Sequence, residues 1–333
     1  MGSFVPEQKS GGEQVAKGTR PVVVFSRCLG FAACRYDGTM ADAAAVDFLK
    51  PYVEVRPVCP EIGVGLGVPR APIRLVQRED GCRLVEPSTG RDLTGPMQGF
   101  ASSYLDRVGE VDGFVLKAKS PSCGVRDAKV YPSPESLEHS KRSSGLFAAR
   151  VLERFPHLPA TTEARLSRTS DRSHFLTRVF ALARFRPVRA SGEAKDLVRF
   201  HSENKLLLLA HCEQDERAMG RIVATAHNRA AAEVLEEYGE RLSHALARLP
   251  RRGGHANVLQ HALGYLSERL SREEKERFLE SLERYREGKG DLVLCLDVMR
   301  EWIARLEEPY LAPQTYFEPF PRAGEESRLP PSP

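Results

Sequence analysis

Two textures of apolar and polar positions divide the chain. Up to about His157, short apolar runs alternate with longer amphipathic stretches. Residues 21–26 and 113–116 are compact apolar runs rich in Val and Phe, the pattern of strands buried on both faces. Residues 52–58 predict a further strand. Residues 73–76 and 83–86 predict two short strands joined through an Asp80-Gly81 turn, a hairpin. Between them, 41–49, 94–108 and 143–155 carry helical spacing, with Ser143 or Ser144 placed to cap the last. Beyond His157 the strand pattern stops. Residues 172–186, 193–216, 221–249, 255–270 and 272–285 show helical periodicity, punctuated by Gly253-Gly254 and by Gly288 and Gly290.

Strands alternating with helices predict an α/β N-terminal domain with a mostly parallel, Rossmann-like sheet. An all-α C-terminal domain follows it. The expected boundaries are a flexible arm over 1–18, the α/β domain over 19–166, a basic helical junction over 167–194, the helical domain over 195–321, and a polar, Pro-rich, disordered tail over 322–333.

Composition narrows the setting. The chain has 333 residues, 41% of them hydrophobic and 28% charged, enough for a substantial core in a soluble protein. No apolar run approaches the roughly 20 residues of a membrane span. The first residues lack the apolar segment of a secretory signal, so no membrane partner and a cytoplasmic location are expected. Seven cysteines, an odd number, then point away from disulfides and towards metal, cluster or free thiols. The net charge of +4 permits a nucleic-acid partner without requiring one.

Three of the thiols fall where predicted strands end: Cys28 in VVVFSRCLG, Cys59 in VEVRPVCPE, and Cys123 in VLKAKSPSCG. Open α/β sheets build their sites beyond the carboxyl ends of their strands. Three thiolates converging there would bind a metal or cluster and leave one position open, whereas three small buried side chains are the competing reading. The paired short spacings of tetrahedral zinc sites are absent. Gly63, Gly65 and Gly67 depart from a dinucleotide fingerprint, and Pro69 and Pro72 forbid a following helix, so a close backbone approach is expected there. His201, His211, His255 and His261 lack the spacing of a shared helix face and read as polar groups satisfied at helix contacts.

The segments CLGFAACRYDG, CPEIGVGLGVPRAP and KSPSCG, in this order, resemble the TudS-type thiouracil/4-thiouridine desulfidase family over about 22–166. The resemblance implies that Cys28, Cys59 and Cys123 ligate a [4Fe-4S] cluster whose fourth iron is open to a substrate sulfur. Cys34 would be a neighbour and not a ligand, and Cys82, Cys212 and Cys295 would serve packing. Non-redox hydrolysis then needs a base for water. Glu61 is the first choice, with Ser122 or Ser120 positioning it or stabilising the ring. Asp37 would orient Arg35, contact substrate, or form an Asp-Gly turn, and Lys119 would balance the cluster's charge.

The stretches NVLQHALGY and PYLAPQTYFEPFP resemble the YbgA-type helical domain over about 195–321, less closely near 291–302. Between 165 and 205, ten Lys/Arg oppose four Asp/Glu, a net +6. Arg165, Arg168, Arg172, Arg178, Arg184, Arg186, Arg189 and Lys205 are the candidate phosphate contacts, with Phe175, Phe180, Phe185 and Phe200 facing the interior. Two-domain members are associated with 4-thiouridine in tRNA, so tRNA is the expected partner and a thiolated pyrimidine the reacting group. Free thiouracil or 4-thiouridine monophosphate is the alternative substrate. An RNA-binding protein with a structural or sensing cluster is the alternative outside catalysis.

Overall fold

The computed structural model describes residues 20–79 and 81–321. The predicted arm, the tail and Asp80 of the predicted turn lie outside the described residues.

β1 (Val22–Ser26) is buried along its whole length and forms the middle of a four-stranded sheet. It pairs in parallel with β2 (Glu54–Val58) on one side and β6 (Gly113–Leu116) on the other, and β6 pairs in parallel with β9 (Ala160–Thr162). Pro57 lacks an N–H for the ladder, and β2 accommodates it because it is an edge strand. The hairpin belongs to a second sheet. There β3 (Arg74–Arg78) pairs antiparallel with β4 (Gly81–Glu86) and parallel with β7 (Ala128–Tyr131). β5 (Arg91–Asp92) and β8 (Lys141–Ser143) complete it at the two edges. The expected parallel sheet is therefore present, but the hairpin does not join it. β9 also lies beyond His157, where no strand was expected.

Alternation along the first sheet divides the core. Val22, Val24, Phe114 and Leu116 pack towards the second sheet, α3 (Thr94–Arg107) and α4 (Leu146–Arg154). Val23, Phe25 and Val115 face the opposite way, against α1 (Ala44–Asp47) and α6 (Thr169–Ser191). The short α2 (Pro60–Gly63) and α5 (Glu163–Leu166) lie directly after β2 and β9.

α6 runs 23 residues, past Pro187, to a left-handed Gly192. Phe175, Leu176, Val179 and Phe180 pack on the α/β core, whereas Ala181, Phe185 and Val188 belong to the helical core. α7 (Ala194–His211) and α8 (Glu213–Thr225) replace the single helix expected over 193–216, because Cys212 adopts an extended conformation between them. A short 3-10 turn after Thr225 likewise separates α8 from α9 (Ala231–Ala247). α10 (Arg252–Leu266) begins before Gly253-Gly254 and contains both glycines instead of stopping at them. α11 (Arg272–Arg286) opens with a Ser271–Glu274 capping box, and α12 (Leu292–Arg305) closes the domain. Among the described residues, no helix is long and apolar enough to cross a membrane.

Candidate active site

The carboxyl ends of β1, β2 and β6 open into a cavity of about 460 Å³. Cys28, Cys59 and Cys123 all line it, together with Cys34, Glu61 and Ser120. Cys28 lies in the turn after β1. Cys59 is the residue before α2, and Pro60 starts that helix where a missing N–H costs nothing. Gly63 closes the turn of α2 so near α3 that a Cβ would lie 2.2 Å from the Phe100 ring.

Cys123 is set by the first turn of α4. The amides there would otherwise lack acceptors. Instead Gly145 N, Leu146 N and Ala148 N donate to the carbonyls of Gly124, Pro121 and Ser122 at 2.8, 3.1 and 3.1 Å. Gly145 precedes α4 without any side-chain cap, so neither Ser143 nor Ser144 caps this helix as the sequence suggested.

The two candidate serines separate by what they hold. Ser120 Oγ accepts from the amides of Ser122 and Cys123 at 3.2 and 3.0 Å and so shapes the turn. Ser122 is fully buried, and its Oγ donates to Glu61 Oε1 at 3.0 Å. The other oxygen of Glu61 accepts from Arg70 Nε at 2.9 Å and Nη2 at 2.5 Å. Asp37 is not among the cavity-lining residues. It accepts from Thr39 Oγ1 at 2.6 Å and Thr39 N at 3.1 Å, which fits the Asp-Gly turn. The Thr39 hydroxyl, first among its contacts, holds its carboxyl below the usual range.

Burial dominates the thiol electrostatics. Burial first, then the neighbouring Cys59, pushes Cys28 up to about 11, against the opposing charge of Lys117. Burial and then Cys59 push Cys34 up to about 12. Burial pushes Cys123 well up despite a hydrogen bond with Ser26. Among the described residues, no three His, Cys, Asp or Glu side chains are placed to hold one metal ion. Of the other thiols, Cys295 is buried, and Cys82 and Cys212 are half-buried.

Among the described residues, seven cationic residues line the cavity, against one acid, Glu61. Arg70 is committed to Glu61, Lys117 to Glu163, and Arg35 to Asp37. Arg74 donates to the Pro134 and Ser136 carbonyls and lies over the Tyr131 ring. Arg27, Lys119 and Lys129 are exposed, and their side chains have no hydrogen-bond acceptor or ion-pair partner among the described residues. Lys119 adopts φ +60, a conformation rarely taken by a side chain with a Cβ. Arg70 and Lys117 lie in the segments quoted from the sequence, but their pairing with Glu61 and Glu163 shows only in the fold.

The junction residues do not form one solvated stripe. Arg178 Nη2 donates to the His157 carbonyl, and Arg184 Nη1 to that of Pro319. Burial lowers both guanidinium pKa values to about 10. Arg186 meets the buried Asp112 at 3.2 Å, and Arg172 lies over the Phe48 ring. Arg165, Arg168, Arg189 and Lys205 are exposed, although Arg189 pairs with Glu110 at 3.1 Å. Phe175, Phe180, Phe185 and Phe200 are all buried. His201 and His255 hydrogen-bond the hydroxyls of Tyr238 and Tyr316, and His211 the Leu207 carbonyl, while His261 is exposed.

Residues 23–163 match a family model described as 2-thiouracil desulfurase, and residues 205–321 one described as a protein of unknown function, DUF1722. The uncharacterized protein YbgA of Escherichia coli K12 is 29% identical over 149 residues, 44% of this chain and 88% of that protein. The uncharacterized protein YbbK of Bacillus subtilis 168 is 30% identical over 110 residues, 31% of this chain and 73% of that protein. A solved structure, a [4Fe-4S]-dependent thiouracil desulfidase TudS, aligns with a TM-score of 0.36 and 23% identity, covering 44% of this chain and 93% of that one.

Proposed function

This chain belongs to the 2-thiouracil desulfurase family, and on that premise we propose that it hydrolyses 4-thiouridine in tRNA to uridine, releasing sulfide. The observation that carries the reading is one cavity lined by the three thiols and by Glu61, whose two oxygens are held by Arg70 and, from behind the cavity wall, by the buried Ser122.

The donor set fits an iron–sulfur cluster. Thiolates suit it, and the three cysteines arrive from three separate strand ends without disulfides. A cluster also gives each thiolate its own iron, so its ligands need not crowd around one ion. Cys28, Cys59 and Cys123 would hold a [4Fe-4S] group with one iron open. When bound, it supplies a Lewis acid for the thiocarbonyl sulfur.

The chain's own groups supply the rest. Glu61 takes the proton of a water aimed at the carbon that bears sulfur. Ser122 and Arg70 fix its two oxygens. The new C–O bond replaces the broken C–S bond, sulfur leaves as sulfide, and neither oxidant nor reductant is consumed.

Arg27, Lys119 and Lys129 support a phosphate-bearing substrate over a free base, because their unpaired charges stand at the cavity itself. The exposed Arg165, Arg168, Arg189 and Lys205 would extend that contact along RNA. Presenting a base from folded RNA costs a few kcal/mol of unstacking, which phosphate contacts offset. The same cations also suit 4-thiouridine monophosphate, the second reading.

Anaerobic cluster reconstitution followed by incubation with 4-thiouridine-containing tRNA tests the proposal. The expected result is loss of near-ultraviolet absorbance with release of sulfide, abolished in Cys59→Ala and weakened by salt. Turnover of the free monophosphate but not of tRNA would transfer the function to the nucleotide. An intact cluster with no turnover of either substrate would overturn the desulfidase reading.

A further inference from the structure

We propose that Arg70 is a positioning residue of this site, setting the orientation of Glu61 and locking it to the loop that carries Cys34. The inference rests on the desulfidase reading above, which makes Glu61 the base.

Arg70 has a side chain only 6% exposed, beside a Glu61 side chain 14% exposed. Its contacts are unevenly shared. Nε and Nη2 both reach Oε2 of Glu61, leaving Oε1 to Ser122. Nη2 also donates to the Cys34 carbonyl at 3.0 Å, and Nη1 to the Gly67 carbonyl at 3.1 Å. The Arg70 amide itself donates to the Tyr36 carbonyl at 2.8 Å. One planar group therefore joins the loop after β1, the carboxylate of α2 and the glycine segment that follows it.

The division of Glu61 is what gives this arrangement a role. Two donors on Oε2 stop the carboxylate from rotating, so Oε1 keeps a fixed direction beside Ser122. A guanidinium remains protonated and takes no proton from water, so Arg70 acts through Glu61 and not on substrate. Lysine offers a single nitrogen in place of the fork. It reaches Oε2 or the two carbonyls, but does not span all three in one plane.

The test compares the reconstituted full chain with Arg70→Lys and Arg70→Gln, with rates normalised to bound iron. Misplacing a reacting group by about 1 Å costs on the order of 10²-fold in rate. We expect a kcat loss of that order at nearly unchanged KM. A second readout needs no turnover. Glu61, shielded by Arg70, should react slowly with a water-soluble carbodiimide, as mapped by mass spectrometry, and several-fold faster in Arg70→Gln. Added guanidinium should restore part of the kcat of Arg70→Ala.

Wild-type kcat in Arg70→Lys, or unchanged Glu61 labelling in Arg70→Gln, would overturn the assignment. So would a loss of activity that vanishes once rates are normalised to iron, because Arg70 would then serve only cluster retention. If the wild-type chain turns over no thiolated substrate, the desulfidase reading fails. The labelling contrast would still decide whether Arg70 holds Glu61.

Discussion

Gly145 has no room for a side chain. A Cβ there would lie 2.4 Å from the carbonyl carbon of Ser122 and 2.8 Å from the amide nitrogen of Cys123, both backbone atoms that cannot swing away. Gly145→Ala should therefore displace the Ser122–Cys123 peptide. Iron retained after reconstitution should fall sharply, together with the thermal midpoint, and iron analysis beside calorimetry would check both. The neighbouring serines should part ways. Ser122→Ala removes the hydrogen bond to Glu61, so kcat should drop while stability falls by only about 1 kcal/mol. Ser120→Ala leaves two amides of the cysteine turn without their acceptor, so stability and iron content should fall first. Urea titrations alongside iron-normalised kinetics separate these outcomes. Glu61, Ser122 and the three cysteines could be nominated from the sequence because each sits in a compact local motif. Arg70 lies in the same segment as Cys59 and Glu61, but its role was not legible, because its hold on one oxygen of Glu61 and on the remote Cys34 carbonyl shows only in the fold.

Elements were legible where burial repeats along the chain. β1 and β6 stand out because every position is buried, and α3 because Met97, Ala101 and Leu105 recur every fourth residue. Breaks were harder to see. The divide at Cys212 changes the backbone without changing the apolar spacing, and β8 and β9 are only three residues each. The basic junction was legible only in part. Charge density suggested an open face, but α6 is wedged between two cores, so Arg172, Arg178, Arg184 and Arg186 find carbonyls, a carboxylate and an aromatic ring, while Arg168 and Arg189 at its two ends stay exposed. A chain ending at residue 166 lacks Phe175, Leu176, Val179 and Phe180, which cover Val23, Phe25 and Val115. It should aggregate, whereas a chain ending at residue 183 should keep more of its protein soluble. Light scattering and the recovered soluble fraction would reveal the difference, and equal solubility would count against α6 as part of the α/β core.

At the scale of the whole molecule, acid should loosen the helical half. Burial lowers the pKa values of His201, His211 and His255 from 6.5 to about 4. The unfolded chain therefore binds their protons first as pH falls. Their contribution to stability is complete above about pH 6.5 and is lost as pH drops towards about 4. The urea midpoint should fall across this window, and less steeply in His255→Gln. An unchanged slope in that variant would remove His255 from the account. α6 contributes side chains to both cores and so acts as a gauge between them. A helix advances about 1.5 Å and turns about 100° per residue. One residue inserted between Phe180 and Phe185 would swing one half around the other. Seven would nearly restore the phase while lengthening the rod by roughly 10 Å. On the tRNA reading proposed above, the length of α6 would set how far from the cavity the helical domain grips a strand of RNA, and hence which nucleotide along it arrives at the thiols.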